Sequence, residues 1–152
     1  MEKSWSPEAL ILLSSFLGFY ALARYNPNGS LDTTFGNGGL VITTFNSEGA
    51  FASALAIQPD GKILAGGTKY IHFSSDQSSD TDFAIARYNS DGSLDPTFGS
   101  GGEVATDFNQ ENDDALAIIL QPDGKIVAAG DATSLATFID FCPDAISARW
   151  QP

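Results

Sequence analysis

Two arginines, Arg24 and Arg87, are each followed eight residues later by an aspartate, Asp32 and Asp95, within the near-identical stretches ARYNPNGSLD and ARYNSDGSLD. A guanidinium on a strand face that also carries Leu22 or Ile85 needs a carboxylate partner. The pattern therefore reads first as a structural ion pair repeated along the chain. Its chemical alternative is an anion site, which would need one arginine per repeat aimed at a common centre.

The same stretches place oxygen-bearing side chains at alternate positions around a glycine, Asn26-x-Asn28-Gly29-x-x-Asp32 and Asn89-x-Asp91-Gly92-x-x-Asp95. That is how a calcium loop begins, but no bidentate Glu follows, and a tight turn calls for the same residue types. The turn is the better reading. Asp76, Asp80 and Asp82 lie in the most polar run of the chain, HFSSDQSSDTD, where a solvated loop is favoured over a weak cation site. His72 is the only histidine and Cys142 the only cysteine, so neither a zinc site nor a disulfide can be assembled within the chain. The sequence holds no G-x-S-x-G, H-E-x-x-H or G-x-x-x-x-G-K, and a Ser-His-Asp triad could use only His72. No catalytic, cofactor-binding or metal residue is assigned, and no cofactor is expected.

The elements that position these residues come from a repeat. Shifting the chain by 63 positions lays YALARYNPNGSLDTTFGNGGLVITTFN on FAIARYNSDGSLDPTFGSGGEVATDFN, then IQPDGKILAGG on LQPDGKIVAAG, with well over half of the pairs identical and no gap. Within one unit, four short apolar segments alternate with turns: residues 52–58, 62–67, 82–89 and 103–108. Pro59-Asp60-Gly61 and Pro122-Asp123-Gly124 join strands as hairpins, since Pro presets φ and Gly accepts the positive φ that follows. The F-G-x-G-G runs at Phe35 and Phe98 precede a strand rather than a helix and read as a bend, not a dinucleotide loop. Segment 103–108 carries Glu103 and Asp107 on one face, as an outer edge strand does. Segments 52–58 and 62–67, rich in Ala and Gly with uncharged strand bodies, suit inner strands covered on both faces.

The predicted fold is all-β, an incomplete β-propeller of about two to two-and-a-half four-stranded antiparallel blades. The expected division is a divergent hydrophobic segment at 1–18 and a partial first blade at 19–51 supplying its third and outer strands. A complete blade at 52–108 and a partial blade with a degenerate end at 109–152 follow. The motifs ALARYNPNGSLDTTFGNGG, AIARYNSDGSLDPTFGSGG, AIQPDGKI and LQPDGKI resemble the delta-60 β-propeller repeats of bacterial proteins, over residues 20–130. That resemblance implies a propeller blade, often in secreted or surface-exposed multidomain proteins, with no assigned catalytic residues. It implies a fold rather than a function.

Propellers close with about 4 to 8 blades, so the expectation is a longer chain, copies associating head to tail into one ring, or two units left as an open, partly stacked array. The longer chain is ranked first because the repeat stops just after Arg149. Residues 9–23 are uncharged but shorter than the roughly 20 a bilayer span needs. Ala21-Leu22-Ala23 has the form of a signal cleavage site, but Glu2 and Glu8 beside Lys3 make a poor leader. Seven Lys and Arg against 19 Asp and Glu give a charge of −12, which repels nucleic acid and anionic membranes. The expected function is a non-catalytic structural or interaction scaffold whose partners are protein domains, neighbouring blades or glycans, with homo-oligomers through exposed blade faces. The alternatives are a ligand-binding or catalytic propeller with loops of several blades forming its site, or a calcium-stabilised repeat. Location is expected to be secreted or cell surface, with cytoplasmic as the alternative.

Overall fold

A computed structural model describes residues 18–45, 49–71, 80–108 and 112–133; among these there are eight strands and no helix. The strands are β1 (Tyr20–Ala23), β2 (Leu40–Thr43), β3 (Ala50–Ile57), β4 (Ile63–Tyr70), β5 (Thr81–Tyr88), β6 (Glu103–Thr106), β7 (Asp113–Leu120) and β8 (Ile126–Ala132). They form three antiparallel sheets, β1-β2, β3-β4-β5-β6 and β7-β8. The middle sheet is a full four-stranded meander with β3 and β6 as its edges, flanked by half-blades on either side.

Turn chemistry sets each reversal. Gly61 and Gly124 take φ of 84° after the Pro-Asp pairs, and their amides donate to the carbonyls of Gln58 and Gln121 at 2.9 Å. Asp60 and Asp123 accept the amides of Lys62 and Lys125, closing the hairpins from the side-chain side. Each F-G-x-G-G run is a bend that feeds β2 or β6, with Gly39 and Gly102 donating to Phe35 and Phe98 at 2.8 Å. The two copies even share a bulge, at Ala52/Ala54 and at Ala115/Ala117. Opposite each bulge is a glycine, because a Cβ on Gly67 would lie 1.9 Å from the Phe51 carbonyl oxygen, and one on Gly130 1.8 Å from that of Asp114.

Blade packing follows from strand alternation. Tyr20 and Leu22 of β1, with Phe35 and Phe45, face the second blade and meet Ile63, Ala65, Ala84, Ala86 and Tyr88. The small side chains on that blade let the sheets approach, and the large ones of the first blade fill the space. On the opposite face, Gly66 admits the Ile118 side chain of the third sheet, where a Cβ would stand 2.4 Å from Ile118 Cδ1. Two buried hydroxyls tie the first interface reciprocally: Tyr20 donates to the Ala84 carbonyl and Tyr88 to Thr43 Oγ1, both at 2.8 Å. Desolvation pushes the Tyr88 phenol up to about 12 and the Tyr20 phenol higher still, so both stay protonated donors.

β4 is buried along most of its length, as expected for an inner strand, but β3 is not. Leu55 and Ile57 are exposed because, among the described residues, the first blade contributes only β1 and β2, leaving β3 without a cover on that side. Glu103 also departs from expectation. It is half-buried between blades rather than solvated at the rim, and burial raises its carboxyl above the ordinary value.

Tyr20→Phe keeps the ring in place but removes the hydroxyl that donates across the blades to the Ala84 carbonyl. The expected cost is about 1–2 kcal/mol in urea unfolding at unchanged slope; an unchanged midpoint would show that the hydroxyl contributes nothing to blade docking.

Candidate functional site

The Arg-Asp corner is built twice from the same parts. Arg24 Nε donates to Asp32 Oδ2 at 2.9 Å and its terminal nitrogen to Thr34 Oγ1 at 3.2 Å, while the guanidinium stacks 4.6 Å from the Phe35 ring centroid. Arg87 repeats this with Asp95 at 2.8 Å, Thr97 at 3.1 Å and Phe98 at 4.6 Å. Ring stacking and the fork geometry suit Arg over Lys here. The corner also joins blades, since Arg24 donates to the Ser90 carbonyl at 2.6 Å and the Gly36 amide to that of Asp91 at 2.7 Å. The arginines thus serve the ion-pair reading.

Asp95 is buried and takes a second cation, Lys62, at 2.7 Å. Its other oxygen accepts the Thr97 hydroxyl at 2.7 Å and amide at 3.0 Å. The Lys62 bond first, then Thr97 and the Arg87 charge, hold its carboxyl far below the usual carboxylate range. Asp32 is lowered in the same sense, by Thr34 ahead of Arg24.

The calcium-loop residues are spent on their own turns. Asn28 Oδ1 accepts the Ser30 amide and hydroxyl at 3.0 and 2.8 Å, and Asp91 Oδ1 those of Ser93 at 2.9 and 2.7 Å. Gly29 and Gly92 adopt φ of 86° and 90°. These are side-chain-closed turns, with the oxygens pointed at the backbone.

His72, Asp76, Cys142, Arg149 and the leader at 1–17 lie outside the described residues. Asp80 and Asp82 lie within them, and Asp82 converges on partners the sequence did not single out. Asp82, Asp107 and Asp113 each present a carboxylate oxygen within 4.8 Å of the other two. Asp82 opens β5, Asp107 follows β6, and Asp113 opens β7, so the cluster stands where the complete blade hands the chain to the next. Asp113 is fully buried, with Oδ2 accepting the Phe108 amide at 2.8 Å, and Asp82 is 7% exposed with Oδ2 3.8 Å from Lys69 Nζ. Desolvation raises the Asp82 carboxyl, partly offset by Lys69 and reinforced by Asp107 and Asp113. A signal for this grouping does exist in the sequence. At the matched positions of the first unit stand Phe19, Thr44 and Ala50, so all three acids are departures from the repeat.

The depressed carboxyl of Asp95 carries a pH consequence. A group whose folded pKa is lowered adds stability above its unfolded value, about 3.9, and loses it as pH falls through the folded value. Asp95→Asn is therefore expected to lower the thermal midpoint by several degrees at pH 7, with the gap to the parent constant above about pH 5 and narrowing below about pH 4. A gap that does not change with pH would mean the carboxylate charge is not what stabilises the corner.

One protein family matches the chain, over residues 15–35, 58–98 and 121–141, and is described as a domain of unknown function (DUF5122) beta-propeller. No curated protein and no solved structure matches. The matched segments contain β1 with the Arg24 corner, both Pro-Asp-Gly hairpins and β4 through the Arg87 corner, which are the parts that repeat. With those segments covering more than half of its length, the chain belongs to this β-propeller family.

Proposed function

We propose that the chain is a non-catalytic propeller module of the delta-60 repeat kind, acting as a structural or interaction scaffold through its blade faces. One comparison carries this reading. Tyr25 and Tyr88 occupy the same repeat position, yet Tyr88 is 0% exposed under the first blade and Tyr25 is 63% exposed. The side of the first blade that bears Tyr25 has the residues of a covered face, without a cover among the described residues. Ile42 and Leu40 of β2 share that face and are exposed as well. Beside β1, Leu22, Phe35, Leu55, Ile57 and Ile63 line an apolar cleft of about 270 Å³, at an edge where β1 pairs only with β2 among the described residues. The third sheet exposes Ile119 and Val127, which stand opposite each other in the register.

Apolar faces of this kind are completed by further blades, whether in the same polypeptide or in other copies. The repeated polar side chains support a non-catalytic role, because Arg24, Arg87, Lys62, Asp32 and Asp95 are committed to one another. The delta-60 resemblance adds a bacterial, secreted or surface-exposed setting to the proposal.

Light scattering over a concentration series, with an apolar-surface dye alongside, tests the reading. The chain is expected either to associate, closing at about two to four copies, or to bind dye as a monomer. In both cases Tyr25→Ser combined with Ile42→Ser diminishes the signal. A monomer that binds no dye overturns the proposal.

A further inference from the structure

We propose that Asp82, Asp107 and Asp113 form a calcium site that clamps the outer edge of the complete blade to the first strand of the next. The cluster offers three carboxylate oxygens, all within 4.8 Å of one another. Calcium binds oxygen at about 2.3–2.6 Å, so ligands on opposite sides of one ion stand about 5 Å apart. The three groups already sit within that span.

The buried atoms point the same way. Asp82 Oδ1 and Asp113 Oδ1 are both shielded from solvent and accept no hydrogen bond. A buried carboxylate oxygen without a partner costs the full desolvation of that atom, and here two face a third acid. Lys69 faces Asp82, but at 3.8 Å from Oδ2 it is beyond direct hydrogen bonding. The charge on the two buried oxygens, Asp82 Oδ1 and Asp113 Oδ1, is left without a donor in contact among the described residues. A divalent cation supplies that contact.

The remaining geometry suits a weak, solvent-accessible site. Asp107 is exposed and gives the ion a way in, while the Phe108 amide on Asp113 Oδ2 fixes that carboxylate and leaves Oδ1 for the ion. An all-oxygen donor set selects a hard cation, and calcium tolerates an irregular shell completed by water, which magnesium does not. With three protein ligands and a competing Lys69, the expected Kd is about 0.1–1 mM.

The repeat supplies the variants. Ala50 and Thr44 occupy the matched positions of the first unit, so Asp113→Ala and Asp107→Thr install residues this fold already accommodates. Metal-depleted chain is titrated with calcium chloride by calorimetry and by thermal melting, against sodium chloride of matched ionic strength. The expected result is one site, a midpoint raised by about 5–10 °C at calcium about 100-fold above Kd, and reversal by chelator. Both variants lose the calcium response, and Lys69→Gln binds calcium more tightly than the parent. No calcium-specific shift at about 10 mM, a shift equalled by sodium chloride, or a response that survives Asp113→Ala each overturns the proposal. Retained folding of Asp107→Thr, whose side chain is exposed, keeps the test independent of stability.

Discussion

The whole arrangement depends on sheet faces that can be satisfied only by another sheet. A four-stranded blade has two apolar faces, and the first interface shows how one is covered. Tyr20, Leu22 and Phe35 enter a surface of Ala65, Ala84 and Ala86, and two buried tyrosine hydroxyls reach across in opposite directions. Burying each large side chain is worth about 1.5–3 kcal/mol, and the hydroxyl bonds fix the angle at which the sheets meet. The Arg24 corner adds polar ties across the same junction, to the Ser90 carbonyl and through the Gly36 amide to the Asp91 carbonyl.

Most of this was legible from the repeat. The four segments of the middle blade are strands in the expected order, because period-two apolar patterns and Pro-Asp-Gly or Asn-x-Asx-Gly turns specify both strand and reversal locally. The Arg24–Asp32 and Arg87–Asp95 pairs were equally readable, since both partners lie on one hairpin and recur at one spacing. What the sequence hid was how blades meet. Leu55 and Ile57 look like core residues, yet their burial depends on a neighbouring blade's inner strands, and local pattern carries no information about those. Glu103 looks like a rim charge but is half-buried.

The carboxylate cluster shows a different limit. Asp82 was noticed as part of a polar loop and grouped with Asp76 and Asp80, its neighbours in sequence. The structure instead groups it with Asp107 and Asp113, because antiparallel pairing sets the start of β5 beside the end of β6, and the chain then turns into β7. Comparing units position by position would have exposed the acids as three coordinated departures from Phe19, Thr44 and Ala50. Within a repeat, structural residues recur and residues with another purpose stand out by failing to.

Charge distribution extends this reasoning. Every basic side chain among the described residues, Arg24, Lys62, Lys69, Arg87 and Lys125, is held in an ion pair with an aspartate. The basic groups are thereby fixed on turns and blade junctions, and the acidic excess of the chain is left on loops and edges. Aspartates held by cations or turn hydroxyls, such as Asp95, Asp32 and Asp91, have lowered carboxyls. Asp82 and Glu103, whose burial outweighs the lowering effect of Lys69, are raised instead. The division follows position. Acids that recur in both units have their counter-charge or turn donors built into the repeat, whereas Asp82 and Asp113, whose matched positions in the first unit are Phe19 and Ala50, each keep a buried oxygen that accepts no hydrogen bond among the described residues.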